Sequence, residues 1–393
     1  MKIVDVRTLV VDAGWRNWIF VEIETDDGLT GYGECTLEGR EKAVVGVIED
    51  FRRHLVGEPA DRIRRLFHHM TRDGYWEAGP VVSSGAGGVE MALWDILGKS
   101  LGVSVVSLLG GAVREDIDVY SNAWYFGAHS SAEFAECARQ TVALGYRALK
   151  FDPFGAAEFH LSDRELGGAI EYVEAVRGAV GPDVSLMIEG HGRFGAESAL
   201  RVSKRLEPFA IRFFEEPTPA GDEEAIGRVA RSANIPIAAG ERAYDLRDCQ
   251  RLIAAGVSVL QPDIIHVGGI TRMMAVAELC NASSVSFAPH NASGPVATAA
   301  TLQISSVAPA LLMQEMFAPV DTEWKDRVAP PGVEIRDGRV RAPHGPGIGV
   351  TVVQEEARQH PYVVRDLDLF GARSVLFQSA RRSGSADDDD AVT

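Results

Sequence analysis

IRFFEE (residues 211–216), IPIAAGE (235–241), VSVLQPD (257–263) and VSFAPH (285–290) share one layout: a short apolar run that ends on an acid or a histidine. Runs of this length, rich in β-branched and aromatic residues and bounded by Gly, Pro or charge, predict buried strands. The layout extends outward from them. DVYSNA (118–123), RALKF (147–151) and VSLMIE (184–189) precede, and ALLMQE (310–315) follows. Between the strands lie amphipathic stretches such as SDRELGGAIEYVEAVRGAV (162–180) and AESALRVSKRLEPF (196–209), whose apolar residues have helical spacing. Eight strands alternating with helices predict a parallel β/α barrel of the TIM type.

Upstream of about Asp116 the rhythm differs. KIVDVRTLVV (2–11), WIFVEIETDDG (18–28) and LTGYGE (29–34) read as strands, with a turn at Asp27-Gly28, and EKAVVGVIEDFRRHLVG (41–57) reads as a helix. Helical patterns dominate from Pro59 to Leu109. In GGVEMALWDILGKSLG (87–102), Val89, Ala92, Leu93, Ile96 and Leu97 fall on one face, and the small residues of SSGAGG (83–88) suit close packing. Past residue 325, Pro/Gly-rich loops lead to a last expected strand, VTVVQ (350–354), returning to the N-terminal unit. The expected division is an α+β domain over 1–115, a barrel over 116–325, a returning segment over 326–380 and a disordered tail over 381–393.

The composition narrows the function classes. Of 393 residues, 46% are hydrophobic and 24% charged, which fits neither a disordered chain nor a membrane protein, and no apolar run spans a bilayer. The N-terminus alternates like a strand and has no signal-peptide core, so a cytoplasmic location is expected. Cys35, Cys137, Cys249 and Cys280 are scattered and form neither a disulfide framework nor a zinc motif. A net charge of −17 argues against a nucleic-acid partner, although Asp387 to Asp390 in the tail supply part of it.

In a β/α barrel the functional groups sit at the C-terminal ends of the strands. Glu189, Glu215, Glu241, Asp263, His290 and Glu315 each end an apolar run, at separations of 26, 26, 22, 27 and 25 residues, about one strand plus one helix. Six titratable groups therefore converge on one rim. Three carboxylates on adjacent strands, Glu189, Glu215 and Glu241, cannot all stay ionised in a dry cleft without a counter-charge. A divalent cation supplies it, and an all-oxygen set without cysteine favours one Mg²⁺ ion, with Mn²⁺ as the alternative. His290 is the candidate base, because Asp263 one strand earlier can hydrogen-bond its other ring nitrogen, fixing the tautomer and raising its basicity. Lys150, at the end of RALK, adds positive charge to the same rim.

FFEEPTP (213–219), AAGERAY (238–244), QPDIIHVGGITR (261–272) and APHNASGP (288–295) resemble the enolase superfamily, within its mandelate racemase subgroup. The similarity runs through nearly the whole chain, from WIFVEIETDDGLTGYGE (18–34) and EGREKAVVGVIEDF (38–51) through MALWDILGK (91–99) to HGRF (191–194), and is nearest to galactonate dehydratase and related acid-sugar dehydratases. The resemblance implies a modified (β/α)7β barrel closed by an α+β capping domain, a homo-oligomer, and a small sugar acid as partner. It also implies that Glu189, Glu215 and Glu241 hold the metal, that His290 with Asp263 takes the C2 proton, and that His191 protonates the departing C3 hydroxyl. Glu315 would then hydrogen-bond the substrate carboxylate, in protonated form, or act electrostatically.

Two departures matter. The first ligand is Glu189 in EGH, where the subgroup has Asp in DxH. Where its racemases place KxK, this chain has Lys150-Phe151-Asp152, which removes the second lysine base and favours dehydration over racemisation, epimerisation or lactone cycloisomerisation. Asp152 is free to meet a substrate hydroxyl. Specificity is expected from two cap loops, with Trp15, Arg16 and Asn17 in AGWRNW and Tyr75, Trp76 and Glu77 in GYWEAGP. The acidic Glu77 stands near a basic residue of the galactonate enzymes and argues against galactonate itself. A binding protein that has lost catalysis is the remaining class, and the intact set of six rim residues argues against it.

Overall fold

The computed structural model describes residues 1–76, 78–317 and 324–365; Glu77 and the tail expected at 381–393 lie outside them. The chain begins with an antiparallel sheet in the order β1 (Ile3–Asp12), β2 (Asn17–Thr25), β3 (Thr30–Glu34). Its central strand β2 is buried on both faces. Gly28, at φ 83°, makes the turn between β2 and β3 in the left-handed conformation that glycine adopts without strain.

Helices α1 (Glu41–Leu55) and α3 (Pro80–Leu101) pack on this sheet, α2 (Ile63–Arg72) packs on α3, and a single turn, α4 (Val105–Leu108), follows. Helix α3 starts on Pro80 and stops at the left-handed Gly102. Its small residues let it run against the sheet: a Cβ on Gly88 would lie 2.8 Å from the Cys35 Cβ, and one on Gly87 would lie 2.5 Å from the Ile265 carbonyl of the barrel.

The barrel strands are β4 (Ile117–Asn122), β5 (Ala148–Phe151), β6 (Ser185–Glu189), β7 (Ile211–Glu215), β8 (Ile237–Ala239), β9 (Val259–Leu260), β10 (Ser286–Phe287) and β11 (Gln314–Phe317). Each pairs parallel to its neighbour, β11 lies beside β4, and the bridge Phe287–Leu311 brings the two ends together. The connecting helices are α5 (Ser131–Ala143), α6 (Asp163–Val180), α7 (Ala196–Leu206), α8 (Glu223–Ser232), α9 (Leu246–Ala255), the turn α10 (Ile264–Val267) with α11 (Ile270–Ser283), and α12 (Pro295–Val307). Seven crossovers join eight strands, so the barrel is of the (β/α)7β form beneath an α+β cap.

Strand periodicity sets what the barrel interior contains. Tyr120, Ala148, Met187, Phe213, Ala238 and Val259 from β4 to β9, with Ala288 just after β10 and Met313 just before β11, form an apolar cluster across the barrel. Side chains two residues further along a strand point the same way, so the next layer up reads Asn122, Lys150, Glu189, Glu215, Gly240, Gln261, His290 and Glu315. That polar layer is the floor of the site.

Two carboxylates from the cap reach the N-termini of barrel helices that no side chain of their own caps. Glu34 accepts the N–H groups of Gly294 (2.6 Å) and Ala297 (2.9 Å) at the start of α12, and Glu90 accepts those of Ile270 (2.7 Å) and Thr271 (2.9 Å) at the start of α11. Both lie where a helix leaves donors unpaired and favours negative charge.

The segment VTVVQ is not a strand. Val350 and Val352 are buried and Val353 is exposed, but the amides of Thr351 and Val353 go to the carbonyls of Pro330 and Val328, and a helical turn begins at Gln354. Alternating burial produced the strand-like pattern without a ladder. Beyond it the chain does touch the cap: Asp12 N–H donates to His360 O at 3.0 Å, and Arg365 forms a two-pronged pair with Asp12.

Candidate active site

Glu189 and Glu215 end β6 and β7 in direct register, and Glu241 follows β8 beyond Gly240. Carboxylate oxygens of the three lie within 4.8 Å of one another. Burial and the Glu189 charge push the Glu215 carboxyl well above the usual range; in Glu189, the positive charges of His191 and Lys150 overcome burial and hold it below. Lys150 Nζ lies 2.6 Å from Glu215 Oε2, 3.1 Å from Glu189 Oε2 and 3.0 Å from Glu315 Oε1. One ammonium thus faces three buried carboxylates. Glu215 Oε1 is buried without a hydrogen-bond partner among the described residues, and the donors are all oxygens. Convergent carboxylates with an orphaned oxygen are what a hard divalent cation satisfies.

His290 follows β10 and donates through Nδ1 to the Asp263 carboxylate Oδ2 at 2.8 Å, while its Nε2 lies 3.4 Å from Glu241 and 3.8 Å from Glu315. Burial alone would lower its pKa, but in the metal-free site Glu315, Asp263 and Glu241 outweigh it and raise it to about 10; a cation held by Glu241 opposes that rise and favours the neutral ring a base needs. His191 follows β6 and bonds Asp152 through Nδ1 at 2.7 Å. Strands β6 and β10 are four places apart in the eight-strand ring, so the two histidines stand across the barrel from each other. Both line a cavity of about 400 Å³ beneath the cap, together with Lys150, Glu189, Glu241, Trp15 and Arg16.

His191 reaches the cavity by a different route from the one an extended segment would give. Its φ is 50°, and its N–H donates to Glu189 Oε1 at 2.8 Å, so a tight turn on the first metal-site carboxylate swings the ring inward. Glu315 does not line the cavity: it accepts from Asn122 Nδ2 and the Asn291 N–H, both at 2.8 Å, and from Lys150. Burial would raise its pKa, but the charges of Lys150 and His290 outweigh that and hold it below the usual carboxylate range.

Four expected specificity contacts are corrected. Asp152 is buried away from the cavity, its oxygens committed to His191, Arg193 and the Phe154 N–H. Asn17 is buried against the C-terminal segment, exchanging hydrogen bonds with the Val363 backbone at 2.8 and 3.2 Å. Tyr75 and Trp76 are 92% and 83% exposed, packed edge to face on each other outside the cavity wall. Trp15 and Arg16 do line it: Arg16 stacks on Trp15 at 3.5 Å and pairs with Glu38, and Trp15 stacks on Phe317 at 4.6 Å.

Several residues of the site lie within the quoted motifs without having been singled out there. Arg242 binds Glu216 (2.8 Å), Glu241 (3.3 Å) and the His191 carbonyl (3.1 Å). Gln261 donates to Glu215 Oε2 at 2.7 Å, and His266 joins Ser84 of α3 at 2.9 Å. Asn122 and Gln261 were signalled by their place in the interior layer, two residues past Tyr120 and Val259.

Comparison with known proteins agrees with this geometry. Residues 133–357 match the enolase C-terminal domain-like family, and residues 6–110 match the mandelate racemase/muconate lactonizing enzyme N-terminal domain. The chain belongs to the enolase superfamily. D-gluconate dehydratase of Thermoproteus tenax is 38% identical over 356 residues, covering 89% of this chain and 72% of the relative. D-galactonate dehydratase of Xanthomonas axonopodis pv. citri is 36% identical, covering 86% and 89%. Among solved structures, a mandelate racemase/muconate lactonizing enzyme from Jannaschia sp. CCS1 superposes with a TM-score of 0.86 at 32% identity, covering 92% and 98%. This superfamily member is an enzyme of the hydro-lyase class. No helix among the described residues is long and apolar enough to cross a membrane.

Proposed function

We propose that this superfamily member is a Mg²⁺-dependent dehydratase of a sugar acid, an aldonate or aldarate, giving a 2-keto-3-deoxy acid. The observation that carries the reading is the pair of histidines facing one cavity from opposite sides of a three-glutamate cluster. The similarity to gluconate and galactonate dehydratases supports the substrate class.

Abstracting a proton α to a carboxylate places negative charge on two oxygens, and that charge is the barrier. Glu189, Glu215 and Glu241 would hold the Mg²⁺ ion, which when bound supplies Lewis-acid stabilisation of the substrate carboxylate. Lys150 adds a fixed positive charge within the same cluster. His290, oriented by Asp263, takes the C2 proton at Nε2. His191 gives a proton to the C3 hydroxyl, which is too basic to leave unaided. The C3–O bond breaks as the enediolate electron pair forms C2=C3, water departs, and the enol gains a proton at C3 and gives up its C2 hydroxyl proton to solvent to become the ketone. Each turnover leaves His290 with one proton more and His191 with one fewer, and exchange with solvent resets both.

Incubating the Mg²⁺-loaded protein with a library of aldonic and aldaric acids tests this, with 2-keto-3-deoxy products as the readout. Keto product from at least one acid is expected. Epimerised or deuterium-exchanged acid without any keto product would point to the racemase or epimerase reading instead.

A further inference from the structure

Asp152 immediately follows β5, two residues after Lys150. Its Oδ1 accepts the Phe154 N–H at 2.9 Å, and its Oδ2 receives both His191 Nδ1 at 2.7 Å and the Arg193 guanidinium. Arg193 also donates to Gly190 O at 3.1 Å and Gly155 O at 2.7 Å, tying the loop after β6 to the loop after β5. The His191 backbone is fixed from both sides, by Glu189 Oε1 on its N–H and by Arg242 on its carbonyl, in a left-handed conformation that needs such support.

We propose that Asp152 is the positioning residue for His191, holding the ring so that Nε2 faces the leaving hydroxyl; this rests on the dehydratase reading above. A carboxylate surrounded by donors only accepts, so His191 Nδ1 carries a hydrogen in every state and Nε2 is the nitrogen that passes a proton to substrate. The arrangement repeats that of Asp263 and His290, with the aspartate one strand before its histidine. The cavity is thus flanked by two His–Asp pairs, one after β5 and β6 and the other after β9 and β10. Lys150 and Asp152 differ in direction because the strand ends between them: Lys150 lies within β5 and points into the barrel, whereas Asp152 stands beyond Phe151, outside the strand's alternation, and reaches sideways to the next loop.

Two measurements test this. In ¹⁵N-labelled Mg²⁺-loaded protein, with the His191 signals assigned by their loss in His191→Gln, Nδ1 should be protonated at every pH where the fold persists; a bare Nδ1 overturns the proposal whatever the enzyme turns over. In Asp152→Asn, dehydration should fall by about 10²-fold, the scale of lost general-acid catalysis, while C2 exchange in ²H₂O stays within about threefold of the parent. Elimination of fluoride from a 3-deoxy-3-fluoro substrate, a leaving group that needs no proton, should also be nearly unchanged, and Asp152→Glu should recover part of the loss. Equal losses in exchange, fluoride elimination and dehydration would reduce Asp152 to a structural residue and overturn the inference. Absence of turnover in the parent enzyme would instead remove the dehydratase reading and leave the nitrogen measurement to decide the orientation.

Discussion

Lys150 is the residue on which the metal-free electrostatics turn, because Glu189, Glu215 and Glu315 share its one charge. Lys150→Met should lower stability by about 3–5 kcal/mol in EDTA, the usual consequence of leaving buried charge uncompensated. Saturating Mg²⁺ should return a large part of that, read as the urea midpoint with and without the ion; a midpoint insensitive to the ion would contradict the shared-charge account. Glu215→Gln removes a ligand charge and should weaken Mg²⁺ binding more than about 10-fold by calorimetry while leaving the circular dichroism unchanged. The rim residues were legible because each follows an apolar strand run at barrel spacing. Asp152, Asn17, Tyr75 and Trp76 were misread because they sit in or beside loops, where no periodicity fixes the direction of a side chain. Asp152 turns to a neighbouring loop, and Asn17 turns to a segment 346 residues away in sequence.

Among the elements, helices α11 and α12 begin on glycines, and their open N–H groups are met by Glu90 of α3 and Glu34 of β3. Glu90→Ala and Glu34→Ala should each cost about 1–3 kcal/mol, as expected when buried donors lose their acceptor. The effects should be close to additive in the double variant, since the two act on separate helices. Urea titration with both variants checks this; strong non-additivity would show that cap and barrel are coupled through something other than these caps. The eight strands and most helices could be read from the sequence because apolar periodicity survives burial on two faces. The segment VTVVQ could not, because alternating burial of Val350 and Val352 looks the same whether the amides meet a strand or isolated loop carbonyls.

At the scale of the whole molecule, the cap, the barrel and residues 360–365 meet around the loop that carries Trp15 and Arg16, which line the cavity. His360 stacks on Trp324 at 3.7 Å, Trp324 packs on Trp18, and Val363 holds Asn17. A chain ending at Arg358 should therefore keep its barrel, bind Mg²⁺ as the full chain does, and raise KM more than it lowers kcat. Loss of Mg²⁺ binding in that variant would show that the terminal segment supports the metal site and not only the loop above it.

In the proposed mechanism two histidines divide the proton transfers across one metal site, and proton exchange separates their roles. With a turned-over sugar acid in ²H₂O and saturating Mg²⁺, His290→Asn should abolish deuterium entry at C2, whereas His191→Asn should retain exchange and lose elimination. Loss of both activities in the His191 variant, with Mg²⁺ binding intact, would contradict the assignment.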